Sequence, residues 1–193
     1  MEIRKEWKSV IHSQLQEYGI PDVEWEKFES FLKVQELKSK EYLEMQGETP
    51  RQISIIIEGI FRAFYLTESG DEKTIVFRGP GKLLSTYSSF IDEKSSKFSI
   101  QALEDGIVLY VSIEDFRKLI HGNNFWQKIA GEYYTRLFIE KEKREQSLLS
   151  EDARTRYSNF LKDYPGLIDR INHYHIASYL GISNVTLSRI RNS

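Results

Sequence analysis

The 193-residue chain contains no cysteine, and that absence removes thiol nucleophiles, disulfides, thiolate-held iron–sulfur clusters and the common structural zinc sites. Imidazole is scarce too, with His12, His121, His173 and His175 as the four histidines. The last two stand two residues apart, which on a helix turns them about 200° away from each other, so they cannot grip one ion together. Each is expected as a polar group at the surface or near a helix cap, and no metal site is predicted. A strong charge of either sign is missing as well: 27 Lys and Arg against 29 Asp and Glu leave a formal net charge of −2. A bulk polyanion binder is thereby excluded, and any nucleic-acid contact must come from a local patch. No apolar stretch approaches the roughly eighteen residues of a bilayer span. The charged start Met1-Glu2-Ile3-Arg4-Lys5 lacks the apolar run of a secretory signal, so a cytoplasmic location with no membrane partner is expected. There is no Gly-x-Ser-x-Gly elbow, and Gly79-Pro80-Gly81-Lys82 lacks the spacing of a phosphate loop, so an enzyme is not predicted.

What is present suffices for a core: 40% of residues are hydrophobic and 13% aromatic. Trp7, Val10, Ile11, Leu15 and Tyr18 recur at helical steps until Gly19-Ile20-Pro21-Asp22 breaks the run. A second helix, capped by Asp22, is marked by Val23, Trp25, Phe28, Phe31, Leu32 and Val34. From about Leu37 the pattern turns to short apolar runs divided by glycines. Ile53–Ile57, Ile60–Leu66, Thr74–Phe77, Phe98–Leu103 and Ile107–Val111 carry the β-branched and aromatic bias of strands. Short strands at regular spacing without intervening helices favour a sandwich, barrel or jelly roll.

Helical spacing resumes at Ile113 and extends, after Gly122, from Phe125 to about Leu149. Such a helix is about 37 Å long, more than one small domain needs for its own core. Its stripe of Trp126, Ile129 or Ala130, Tyr133 and Leu137 lies near the heptad spacing and serves equally as ordinary core or as a dimer seam. The Glu140–Glu145 charge run is read as a solvated face.

The most specific signal lies in Ile176 to Ile190. A helix-turn-helix needs a small residue where its helices cross, a residue tolerant of positive φ at the turn, and apolar residues facing inward. Ala177 and Gly181 supply the first two. Ile176, Leu180, Ile182, Leu187 and Ile190 supply the third, and Ser183 can cap the second helix. Asn184, Thr186, Ser188, Arg189 and Arg191 remain as hydrogen-bonding groups: the first three suit base edges, Arg189 a guanine or a phosphate, and Arg191 a phosphate. Residues 166–193 carry a local net charge of +2.

With these segments in this order, the chain resembles the CRP/FNR family of bacterial transcription regulators over nearly its whole length, and its cysteine-free style is similar to the branch found in Bacteroidetes. Glu44-Met45-Gln46-Gly47-Glu48, Ile57-Glu58-Gly59-Ile60-Phe61-Arg62 and Phe77-Arg78-Gly79-Pro80-Gly81 resemble the glycine-punctuated roll of its cyclic-nucleotide-binding-like domain. Gln101-Ala102-Leu103-Glu104-Asp105 resembles the strand after its phosphate cassette. The resemblance implies an α+β fold. Residues 1–149 would form an effector domain of N-terminal helices, an antiparallel β-roll (double-stranded jelly roll) and a dimerisation helix at about 123–149. Residues 150–193 would form a small all-α helix-turn-helix domain.

It further implies a homodimeric, sequence-specific binder of double-stranded DNA, with a small-molecule effector in the roll and recruitment or obstruction of RNA polymerase as its action. The competing class is a ligand-binding or protein-interaction module whose helix-turn-helix does not engage DNA. Relatives that bind cyclic AMP use a Gly-Glu pair for the ribose and an Arg followed by Ser or Thr for the phosphate. Here Gly81-Lys82 replaces the acceptor by a cation, and the arginine position falls at Ser96 with Lys97 beside it, which cannot reproduce the bidentate fork. Gly81, Lys82, Ser96 and Lys97 are therefore the candidate effector-pocket residues, cyclic AMP is not the expected ligand, and no cofactor is predicted. Many relatives continue into a β-hairpin wing that touches the DNA backbone, whereas this sequence stops at Ser193. The expectation is weaker binding, with a salt slope lower by about one unit for each phosphate that such a wing would neutralise.

Overall fold

The computed structural model describes residues 3–85 and 94–192. Two helices open the chain, α1 (Lys5–Gln16) and α2 (Asp22–Phe31). Eight strands follow: β1 (Lys33–Leu37), β2 (Tyr42–Glu44), β3 (Gln52–Glu58), β4 (Phe61–Leu66), β5 (Glu72–Arg78), β6 (Leu83–Leu84), β7 (Ser99–Ala102) and β8 (Gly106–Ser112). They form two four-stranded antiparallel sheets, ordered β1-β8-β3-β6 and β2-β7-β4-β5. The fold is the α+β arrangement of helices on a β-roll that the sequence implies.

The core between the sheets is made by Leu37, Ile56, Phe61, Ala63, Leu84, Ile100, Ala102 and Val108. The first sheet is covered on its other face too, since Leu109 and Val111 pack with Trp7, Ile11, Phe28 and Trp126. A strand buried on both faces has no polar side to alternate with, which is why β8 reads in the sequence as an apolar run from Ile107 to Val111 and β3 as one broken by the buried Ser54. The turn from β3 into β4 demands glycine: Gly59 has φ +92°, and a Cβ there would meet the Cα of Gly106, the first residue of β8, at 2.7 Å.

The second helix stops at Phe31, not at Val34 as its spacing suggests. Lys33–Leu37 pairs residue for residue with β8, Val34 facing Leu109 across the ladder, and sheet pairing overrides a helical pattern that one more turn would have continued. Val23, counted in that pattern, is 69% exposed.

After β8 come α3 (Ile113–Ile120) and the long helix α4 (Asn124–Ser150), about 40 Å by its residue count. Asn123 caps α4 through the N–H groups of Phe125 and Trp126, while Asn123 Nδ2 and Trp126 Nε1 both donate to Glu24 at 2.6 and 2.8 Å. No described helix is long and apolar enough to cross a membrane. The chain ends in α5 (Ala153–Asp163), a short 3-10 turn (Leu167–Asp169), α6 (His173–Leu180) and α7 (Asn184–Arg191).

Candidate nucleic-acid interface and effector cleft

Helices α6 and α7 form the expected helix-turn-helix. Ile176, Ala177, Leu180 and Leu187 are buried with Phe160, Leu167 and Ile171, while Ile182 is half-buried against them. Gly181 ends α6 at φ +66° and accordingly closes the turn without strain. A Cβ there would also come within 3.3 Å of Leu148 at the end of the long helix. Ser183 Oγ accepts from Thr186 N–H at 3.1 Å, so α7 starts on the predicted cap.

On α7 the side chains of Asn184, Ser188, Arg189 and Arg191 are exposed. Thr186 is half-buried, and its hydroxyl lies 2.9 Å from Ser183 Oγ, which spends it on the cap. Arg191 Nη1 rests 2.9 Å from His173 Nδ1. Arg170, counted in the local positive charge, is paired with Glu104 of the roll. The exposed positive charge of this segment is therefore carried by α7 itself.

The helix-turn-helix is fastened to strand β5. Ser178 Oγ accepts from Thr74 N–H at 2.9 Å and donates to Glu72 O at 2.7 Å, which stitches α6 to the strand backbone. One turn along, Phe77 of β5 meets Phe160, Tyr164 and Tyr179 with ring centres 5.5–6.1 Å apart. The Arg144 guanidinium of the long helix lies 3.9 Å over the Tyr179 ring. Burial, together with the neighbouring Tyr179, pushes the Tyr164 hydroxyl far above its ordinary pKa, so that hydroxyl is neutral.

His175 lies in the first turn of α6, next to the Asn172 cap, which fits the cap-region alternative and not the surface one. It is half-buried under α6, with Nδ1 lacking a hydrogen-bond partner among the described residues. Burial, reinforced by the charge of Arg62 and opposed by Glu72, lowers its pKa to about 4. The helical periodicity of so short a segment gave no sign of this, because the burial comes from the sheet lying underneath.

Between the inner face of the roll and the long helix runs a cleft of about 1120 Å³. Ala63, Tyr65, Ile75, Phe98 and Ile100 wall it from the sheets, and Tyr133 and Leu137 from the helix. At its edge Arg78 donates both guanidinium arms to the Glu140 carboxylate, at 2.7 and 2.6 Å. Burial pushes the Tyr133 hydroxyl up to about 12, so it faces the cleft as a neutral hydrogen-bonding group. Of the four residues proposed from sequence, Lys82 reaches the cleft with an exposed side chain. Gly81 sits in the preceding turn at φ +78°, its carbonyl accepting from Gln14 Nε2 at 3.5 Å. Ser96 is 3% exposed and donates to Phe98 O at 2.6 Å, a loop-fixing bond that occupies its hydroxyl. Lys97 is exposed. Residues 86–93, between these two pairs, lie outside the described residues.

The stripe Trp126, Ala130, Tyr133 and Leu137 turns inward: Trp126 is 4% exposed in the N-terminal core and Leu137 walls the cleft. The opposite face carries Gly131, Thr135, Phe138, Glu142, Glu145 and Leu149 at three and four residue steps, all exposed. Phe138 is 68% and Leu149 80% exposed.

Residues 34–123 match the cyclic nucleotide-binding domain family. The cyclic AMP receptor protein of Thermus thermophilus is 28% identical over 149 residues, covering 75% of this chain and 68% of that protein. The solved structure of the Thermus thermophilus catabolite activator protein superposes with a TM-score of 0.59 at 25% identity, over 90% of this chain and 83% of that one. FixK2 of Bradyrhizobium japonicum shares the fold at a TM-score of 0.73 and 18% identity, with 83% of each chain covered. A transcriptional regulator of the CRP/FNR family from Eubacterium rectale does so at 0.73 and 15%, over 89% of this chain and 82% of that one.

Proposed function

We propose that the chain is a transcription regulator of the CRP/FNR type, homodimeric and sequence-specific in binding DNA, divided near residue 150 into an effector domain and a helix-turn-helix domain. The observation that carries the DNA-binding reading is the division of labour on α7: Leu187 is buried while Asn184, Ser188 and Arg189 stand in solvent. A helix so disposed can lay its N-terminal half in a major groove, and a dimer would place two of them about 34 Å apart on a near-palindromic site. A non-DNA-binding module has no need of an uncovered amide, hydroxyl and guanidinium on one helix face.

The proposed effector site is the cleft behind the roll, where a ligand touching both the sheets and the long helix would bias how the docked α6 and α7 are held. Lys82 at its wall favours a ligand other than cyclic AMP held through ribose and phosphate. Action would come through RNA polymerase, by recruitment or obstruction, and not through catalysis.

Selection from randomised duplexes should enrich a two-fold symmetric site, with the gel-shift unchanged by added cyclic AMP. Arg189→Ala should weaken the shift at that site by about five- to 150-fold, the loss of about 1–3 kcal/mol expected for one guanidinium contact to a base. Absence of any enriched sequence at low salt would overturn the reading in favour of a module that does not bind DNA.

The proposed dimer seam is the outer face of the long helix. Phe138 and Leu149 lie 11 residues apart on this outer face, and a lysine there would have to be buried against a second copy. Phe138→Lys should sediment as a monomer where the parent sediments as a dimer; an unchanged sedimentation coefficient would count against this face.

A further inference from the structure

We propose that Val185 is a base-reading residue, and that its branched methyl groups contact the 5-methyl group of a thymine on the floor of the major groove. The proposal rests on the DNA-binding reading above and adds to it the chemistry of one base. Val185 is 59% exposed, more than Leu161 or Tyr174, the other exposed large apolar side chains after Ala153 among the described residues. A single exposed apolar residue is ordinary on a protein surface. This one stands in the first turn of α7, and at 100° per residue it falls between Ser188 and Arg189 on the outward face, within the arc that Asn184 opens.

The neighbouring side chains sharpen the assignment. Thr186, which the sequence nominates for base contact, is turned to the cap and bonded to Ser183. The first turn therefore offers outward one amide, Asn184, and one hydrocarbon, Val185. In the major groove the thymine methyl is the one apolar group that distinguishes a base pair, and an amide pairs bidentately with adenine N6 and N7. An amide beside an isopropyl group is the combination that an A·T-containing step would satisfy, whereas over a G·C pair the isopropyl would cover polar edges. The hydrocarbon was passed over in the sequence because hydrogen-bond formers were sought there, and only its exposure in the folded helix sets it among them.

The test uses the selected duplex and the full chain. Replacing each thymine of a half-site in turn by uracil removes one methyl group and leaves the Watson–Crick pair and every polar atom in place. One position per half-site should show binding about three- to fivefold weaker, the loss of one buried methyl. Val185→Ala should bind the parent site more weakly and lose that uracil penalty, while Val185→Ile should keep it. Parent protein indifferent to uracil at every thymine, or Val185→Ala with the penalty intact, would overturn the proposal while leaving the regulator reading in place. Failure to select any duplex would overturn both.

Discussion

Phe160→Ala is expected to lower stability by about 3–5 kcal/mol, the range for truncating a fully buried aromatic side chain. Phe160 is 1% exposed and its ring centre lies 6.1, 5.3 and 5.8 Å from those of Phe77, Tyr164 and Tyr179. Three large rings around the vacancy cannot all move in, because Tyr179 is held from above by Arg144 and Phe77 belongs to β5. The cavity therefore persists and the upper part of the range applies. Phe77 comes from the roll while the other rings belong to the C-terminal helices, so the loss falls on the docking of the two parts as well as on the small helical core. Thermal unfolding should show a midpoint lower by roughly 6–20 °C for a chain of this size. A second, earlier transition is also expected, from C-terminal helices melting apart from the roll. A change below about 1 kcal/mol, with the transition still single, would mean that the aromatic cluster does not hold the two parts together.

How far the sequence reaches is visible in particular elements. Strands β3 and β8 are legible because both their faces are covered, which leaves an apolar run that turns interrupt. Strands β1 and β6 are not: Lys33–Leu37 reads KVQEL, and Leu83–Leu84 is two residues long, so what makes them strands is their ladders with β8 and β3. The helix-turn-helix is legible for the opposite reason, since its small, left-handed and apolar positions are all set within fifteen residues.

In the long helix the period of the stripe is in the sequence, but the body it packs against is not. Tyr133 and Leu137 meet their own roll, and the uncovered face is the one carrying Gly131, Thr135 and Glu142, which no hydrophobic pattern announces. The fastening of α6 to β5 lay wholly out of reach. Ser178 is an unremarkable helix serine until Thr74, more than one hundred residues earlier, is brought under it.

The same interface supplies the second large effect, at Arg62. This side chain is 1% exposed, the largest among the fully buried side chains described. Its Nε and Nη2 donate to Gln101 Oε1 at 3.1 and 2.7 Å, Nη2 also meets Glu72 Oε2 at 2.6 Å, and the guanidinium lies 3.9 Å over the Phe64 ring. Nη1 has no partner among the described residues, and neither have Thr74 Oγ1 and His175 Nδ1. Arg62→Ala breaks the buried pair and also empties the space of the largest buried side chain, so it should cost about 3–5 kcal/mol. Arg62→Met fills most of the space, and the Glu72 side chain, 26% exposed, can turn to water. Its cost should be far smaller, since an apolar replacement of similar volume is often neutral. Equal losses in the two variants, measured by urea unfolding, would show that the lost charge and not the lost volume decides the site.

The charge of Arg62 also sets an acid response. His175 is neutral in the docked structure with its pKa at about 4, below the ordinary 6.5, because burial and then Arg62 oppose its proton. The unfolded or undocked chain therefore binds that proton first. The contribution of neutral His175 is fully present above about pH 6.5 and is lost as pH falls toward 4. Glu72 is the one group facing His175 that favours the proton. With Arg62 replaced by Met, burial alone opposes the proton, and the variant should lose less stability between pH 7 and pH 5 than the parent. A parent and variant with parallel stability curves across that interval would separate His175 from Arg62, and the buried guanidinium would then owe its place to Gln101 and Glu72 alone.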